Sequence, residues 1–254
     1  MKRETLCLPA RWALITASLS ALLFFAAGTT HVTSIRRYLV VFSTLLLVTM
    51  LSVNPQLAEE RVRPRKPGID DGLRFAAGLF FLLTLTVAAF SVGRLRPVFN
   101  VPAQPRVVAL AVCALSGALQ TWAMILNPFF SPVVRLQTEC GHHVIENGPY
   151  QFMRHPGYFA MCITVPTSAL AIGSWLALAP AAGFVAAIFR RARLEDEFLT
   201  QHLSGYKSYA SRIRGGLFPT VQSPWLLGWT HLPPNTPIDH GAISKTGTKH
   251  GYRI

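Results

Sequence analysis

Apolar residues in this chain run in long uninterrupted blocks separated by short polar connections. Neither period two nor period 3.6 organises them. Blocks of roughly 17 or more nearly uncharged residues match the length a helix needs to cross about 30 Å of hydrocarbon. The pattern places a first span at about Trp12 to Ala27 and a second at Tyr38 to Val53. A third follows at Phe75 to Val92 and a fourth at Val107 to Leu126. The stretch from 54 to 74, "NPQLAEERVRPRKPGIDDGLR", mixes both charge signs with Pro and Gly and reads as a solvated loop. A last apolar stretch, 159 to 189, is too long for one span and carries Gly173, Ser174 and Pro180 near its middle, which predicts a tight helical hairpin. The expected fold class is therefore all-α: a polytopic membrane protein of about six helices. Its expected organisation is spans over 1–127, a polar region with the hairpin over 128–219, and a loosely structured tail over 220–254 rich in Pro and Gly.

Composition agrees, with 51% hydrophobic and 14% charged residues. The amino terminus has the basic start and apolar run of a signal peptide, but further spans follow, so a retained first span is expected. The net charge of +13 would suggest nucleic acid in a soluble protein. Here Lys and Arg gather in connections and at span ends, where headgroups and the positive-inside bias account for them. No C2H2 spacing, RNP-like segment or Walker loop occurs, and no nucleic-acid partner is expected. One side would hold Lys2, Arg3, Arg11, Arg61, Arg63, Arg65, Lys66, Arg154, Arg190, Arg191 and Arg193, against Arg36, Arg37, Arg94, Arg96 and Arg106 opposite. That bias predicts both termini in the cytoplasm, with the bacterial inner membrane and the endoplasmic reticulum equally open.

Three polar clusters carry candidate chemistry. "NGPYQFMRHPGY" precedes the hairpin, with His155 at a helix cap, Pro156 in the first turn, and Tyr150 and Tyr158 as aromatic faces. "FRRARLEDEFL" follows the hairpin. Helical spacing puts Arg191 with Glu195 and Arg193 with Glu197, which by itself reads as a solvated helix of ion pairs, and turns Asp196 away from Arg191. "ECGHH" invites a metal, but neighbouring histidines on extended chain point apart and no second ligand pair stands nearby, so no metal is expected. The four Cys form no C-x-x-C pair.

The series "HHVIENGPYQFMRHPGY", "GSW", "RRARLEDEFL" and "SGYKSYASRIRGGLFP", over roughly residues 130–219, resembles the carboxyl-terminal half of the isoprenylcysteine carboxyl methyltransferase family and, more broadly, phospholipid N-methyltransferases. The resemblance implies S-adenosylmethionine as cofactor and a lipid or lipidated acceptor reached from the bilayer. It implies that His142, His143, Val144 and Ile145 line the adenosine, and that Tyr150, His155, Pro156, Gly157 and Tyr158 close around the cofactor. By the same resemblance Glu195 holds the cofactor's amino-acid end and Arg191 orients the acceptor, making these two the expected catalytic residues. The sequence departs from the family at Ala160, where a Gly is frequent, at Asp196, in place of a second Glu, and at Arg135, where some members have Gln. A carboxylate acceptor needs a cation to orient it and no general base, which suits Arg191 and favours O-methylation. An amine acceptor would need a base, with Glu195 or a His as candidates. A sterol-reductase-like NADPH enzyme and a non-catalytic scaffold are the remaining alternatives.

Overall fold

The computed structural model describes residues 2–62, 64, 67–95 and 100–219, with side chains from residue 8 onward except at 55 and 62. Arg63, Arg65, Lys66, Arg96 and the predicted tail from 220 lie outside the described residues, as do the side chains of Lys2, Arg3 and Cys7. The fold is all helical: α1 (Lys2–Ala27), α2 (Thr33–Ser52), α3 (Pro55–Val62), α4 (Asp71–Arg94), α5 (Ala103–Leu126), α6 (Pro156–Ile172), α7 (Leu178–His202) and α8 (Tyr206–Arg212). Among the described residues four helices, α1, α2, α4 and α5, are long and apolar enough to span a membrane. The hairpin helices complete the bundle differently. α6 has only 17 residues, a rise of about 25 Å, and α7 is apolar in its first half and charged in its second.

Bilayer chemistry explains the local detail. Four hydroxyls in the spans are satisfied within their own helix, each donating to a carbonyl one turn back: Ser20 to Thr16, Thr49 to Leu45, Thr84 to Phe80 and Ser116 to Val112. Small residues let backbones approach. A Cβ on Gly93 would sit 2.2 Å from the Ala27 carbonyl oxygen, so α4 crosses α1 only because that position is bare. Arg94, in the last turn of α4, then donates to the Phe25 and Ala26 carbonyls and closes the open end of α1. Large side chains such as Phe25, Phe75 and Leu115 face outward, as lipid-facing residues do.

The predicted break in the hairpin is where the structure has it. Gly173 ends α6 at φ +119, its carbonyl accepts from Val101 N, and Ser174 pairs with Asn100. The turns therefore meet at one end of the bundle. At the other end the α3–α4 region meets the polar segment between α5 and α6, through Ile69 N to the Val134 carbonyl and Val134 N to Asp70 Oδ1.

The expectation of a plain solvated loop from 54 to 74 is corrected here. Residues 55–62 form α3, Leu57 is fully buried, and Glu60 and Asp70 are buried as well. Leu57 packs with Val53 and Met124. The acids are covered because each meets a guanidinium from later in the chain, a pairing that leaves no local period to read.

Candidate active site

The polar segment is pinned from both sides. Arg135, buried at 8% exposure, pairs with Glu60 at 2.9 Å and Glu139 at 2.6 Å. Gln137 donates Nε2 to the Phe129 carbonyl. Gly141 then turns the chain in the left-handed region, φ +67, and swings both following histidines onto Phe129. His142 stacks on that ring at 4.4 Å between centroids and His143 meets its edge at 5.0 Å. The expectation that the two rings point apart is corrected: the turn at Gly141 breaks the extended geometry it assumed. His142 Nδ1 accepts from Gln137 N. Burial, with help from the His143 and Arg135 charges, pulls the His142 pKa down to about 4, so the ring is neutral at pH 7.

His155 caps α6 and Pro156 takes its first turn, where a missing N–H costs nothing. Gly157 must be bare: a Cβ there would lie 2.5 Å from the Phe130 ring. The His155 ring stacks on Tyr158, and its Nε2 lies 3.0 Å from Asp196 Oδ1. Asp196 also binds Arg154 through both oxygens and accepts from Tyr206 Oη at 2.6 Å. Burial would raise the Asp196 pKa, but the His155 and Arg154 hydrogen bonds outweigh it and hold the carboxyl well below the usual range. The backbone N–H of Arg154 and of His155 donate to the Gly215 and Gly216 carbonyls, so the chain after α8 straps the segment down. Tyr209 Oη adds a bond to the Tyr150 carbonyl.

Two spaces result. A narrow polar cleft of about 40 Å³ is lined by Asn127, His142, His143, Val144, Ile145, Tyr150, Arg154, His155, Glu195 and the α7–α8 residues Leu199, Leu203, Tyr206 and Tyr209. An apolar cavity of about 490 Å³ opens among α2, α4, α5, α6 and α7, lined by groups such as Phe42, Phe81, Met124, Val165 and Phe184. Tyr158 stands between them: it lines the apolar cavity and donates its hydroxyl to Glu195 of the cleft at 2.5 Å. Residues 107–201 match the isoprenylcysteine carboxyl methyltransferase (ICMT) family. No curated protein matches the chain.

The match covers less than half of the chain and points to a membrane methyltransferase, as the motifs do. The ICMT-like region begins earlier than the motifs suggested, taking in most of α5, and stops before α8 and the "SGYKSYASRIRGGLFP" stretch. Within it, seven of the residues expected around the cofactor, namely His142, His143, Val144, Ile145, Tyr150, His155 and Glu195, share one cleft. Tyr158 touches that cleft through Glu195, while Pro156 and Gly157 form the helix start behind it.

Arg191 and Glu195 part company. Arg191, 7% exposed, lines the apolar cavity, pairs with Asp70 Oδ2 at 2.9 Å, donates to the Pro132 carbonyl and lies over the Tyr158 ring. The surface ladder of i, i+4 ion pairs that spacing suggested for α7 is thus replaced by long-range partners. Residues to which the sequence reading gave no site role hold the site together: Glu60, Asp70 and Asp196. One signal did exist. In a chain with 11 acidic residues, an acid beside a span is a candidate partner for a buried arginine.

Proposed function

We propose that the protein is an S-adenosylmethionine-dependent methyltransferase that esterifies the carboxylate of a lipidated or membrane-dissolved acceptor at the cytoplasmic face of the membrane. The observation that carries this reading is the pair of spaces divided by Tyr158. One has the polar groups a nucleoside-bearing cation needs, and the other has the apolar walls a lipid tail needs. Bound S-adenosylmethionine supplies an electrophilic methyl group from its sulfonium.

The residues of the cleft suit that cofactor. Glu195, oriented by the Tyr158 hydroxyl, offers a carboxylate to an ammonium group. His142 stays neutral at pH 7 and so adds no repulsion toward a cationic ligand, while Val144 and Ile145 give an adenosine apolar contact. Tyr150 forms the floor, held by Asn127 and Tyr209. The cleft is narrow as folded, and one of its walls is the 142–145 stretch, whose residues are half-buried or exposed.

Arg191 is fixed by Asp70 and Pro132 with its guanidinium on the cavity side. From there it orients an acceptor carboxylate toward the gap beside Tyr158. Positioning of this kind supplies much of the acceleration of a methyl transfer, and no base is required when the nucleophile is already ionised. The test uses protein in lipid nanodiscs, methyl-labelled S-adenosylmethionine, and either a prenylated cysteine or phosphatidylethanolamine. Label released from the lipid by base as methanol is the expected result. Label that stays on the lipid would replace the ester reading with N-methylation, and absence of both transfer and cofactor binding would overturn the proposal.

A further inference from the structure

The charged groups lining the apolar cavity are Arg61, Arg74 and Arg191, with no carboxylate among the lining residues. Each cation is answered differently. Arg74 bridges Asp71 on the same helix, with both side chains about half exposed. Arg191 has buried Asp70. Arg61, in the last turn of α3, has no ion pair among the described residues; its recorded contacts are a hydrogen bond from Nη1 to the Phe130 carbonyl at 3.2 Å and a position 5.5 Å above the Phe130 ring. The adjacent Glu60 is turned the other way, onto Arg135 and Ser131.

A half-buried guanidinium beside a second one, without a counter-ion, is costly. Burial, and after it the Arg191 charge, draw the Arg61 pKa down to about 10, in the direction opposite to that of a paired arginine. A carboxylate or phosphate entering the head of the cavity would answer this charge, and a planar fork suits either group. We propose that Arg61 is an acceptor-positioning residue: with Arg191 it forms a two-armed anion clamp at the head of the cavity, taking the anionic group of a lipid whose tail fills the apolar part. The inference rests on the cavity being the acceptor site, and it goes beyond the family match because α3 lies outside residues 107–201. The anion is the acceptor's own carboxylate or the phosphate of a phospholipid, and the two sources separate by experiment.

The experiment uses the full chain in nanodiscs and measures binding of two matched pairs, with and without S-adenosylmethionine. One pair is prenylated N-acetylcysteine and its uncharged carboxamide; the other is phosphatidylethanolamine and diacylglycerol. Wild type should prefer the member of one pair that carries the carboxylate or phosphate group. Arg61→Met should reduce that preference by about 10- to 100-fold, the range of a lost charge-assisted contact. Arg61→Lys should restore part of it, and cofactor binding should stay unchanged in both variants. A loss confined to the cysteine pair assigns a carboxylate, and one confined to the phospholipid pair assigns a phosphate. An unchanged preference in both variants overturns the clamp. The lipid pairs read binding directly, so a wild-type protein that binds lipid anions through Arg61 yet neither binds S-adenosylmethionine nor transfers its methyl would overturn the methyltransferase reading and leave the clamp standing.

Discussion

The two spaces beside Tyr158 are built on opposite principles. The apolar cavity is roomy as folded and walled mostly by residues of α2, α4, α5, α6 and α7, with Arg61 of α3 and residues 130–132 at its head, so its shape is set largely by rigid elements. The polar cleft is narrow, and its walls are loop and helix-end residues held by hydrogen bonds and ion pairs to distant parts of the chain. A membrane protein obtains hydrophobic space simply by packing helices imperfectly, because lipid-like walls need no partners. Polar space has to be held open or closed by named contacts, each with a donor and an acceptor. The cavity should therefore tolerate substitution in small steps, whereas the cleft should fail at single residues.

The largest effect is expected at a cavity residue that is held as the cleft is held, by a named ion pair: Arg191→Ala leaves Asp70 buried without its cation. Loss of one partner of a buried pair costs about 3–5 kcal/mol, so thermal unfolding in detergent should show a large drop in Tm. Asp70→Asn combined with Arg191→Met should recover part of it. An unshifted Tm for Arg191→Ala would mean that the pair does not hold α7 to the start of α4.

Next in size is Asp196→Ala. It removes the acceptor shared by Arg154, His155 and Tyr206, and each charged hydrogen bond is worth about 1.5–3 kcal/mol. Weaker S-adenosylmethionine binding in isothermal titration is expected, together with faster hydrogen exchange at Arg154 and His155. Unaltered exchange there would show that the Gly215–Gly216 strap is sufficient without the carboxylate.

Gly78→Phe probes the other space. A Cβ at Gly78 meets nothing within 4 Å, and the residue lines the cavity, so a ring can enter it without a backbone clash. The acceptor KM should rise about 10-fold, roughly what a filled subsite worth 1.4 kcal/mol would give, with cofactor affinity untouched. If cofactor affinity falls instead, the two spaces are coupled more tightly than Tyr158 alone provides.

The smallest effect is a pH dependence. The His142 pKa is depressed in the folded protein to about 4, against 6.5 for the ordinary ring, so between those values the unfolded chain binds more protons. Stability from the neutral ring is complete above pH 6.5 and is lost as pH falls toward 4. Melting curves across pH 4–7 should show this slope, and His142→Asn should flatten it. A slope that persists in the variant would assign the titration elsewhere.

How much of this was legible follows from distance along the chain. The spans, the cap at His155–Pro156 and the break at Gly173–Ser174 are local, and each is written in hydropathy or in the special backbone of Pro and Gly. The gathering of His142 to Ile145 with Tyr150, His155 and Glu195 was an expectation from the family resemblance, and the structure brings these residues to one cleft. Two things were not legible. One was α3, because about two helical turns of mostly polar residues around Leu57 are too short to show a stripe. The other was the set of pairs Glu60–Arg135, Asp70–Arg191 and Asp196–Arg154, whose partners are tens of residues apart and carry no spacing rule. Arg191 was singled out by the family resemblance, since its neighbours alone read as a solvated ion-pair helix, and which acid would neutralise it could not be read at all.

The ion pair between Asp70 and Arg191 also sets a timetable. Synthesis delivers Asp70 at the entrance of α4 while α5, α6 and the hairpin have yet to be made, and Arg191 emerges only with the last long helix. During insertion, then, the carboxylate waits at the membrane surface without its cation, and α4 enters the bilayer with its first residues still in water. Arrival of α7 neutralises the acid and lets the surface segment settle, so biogenesis ends with a chemical event at the site itself. A translocon-stalled chain released before Arg191 would have all four long spans and an Asp70 without the guanidinium that buries with it.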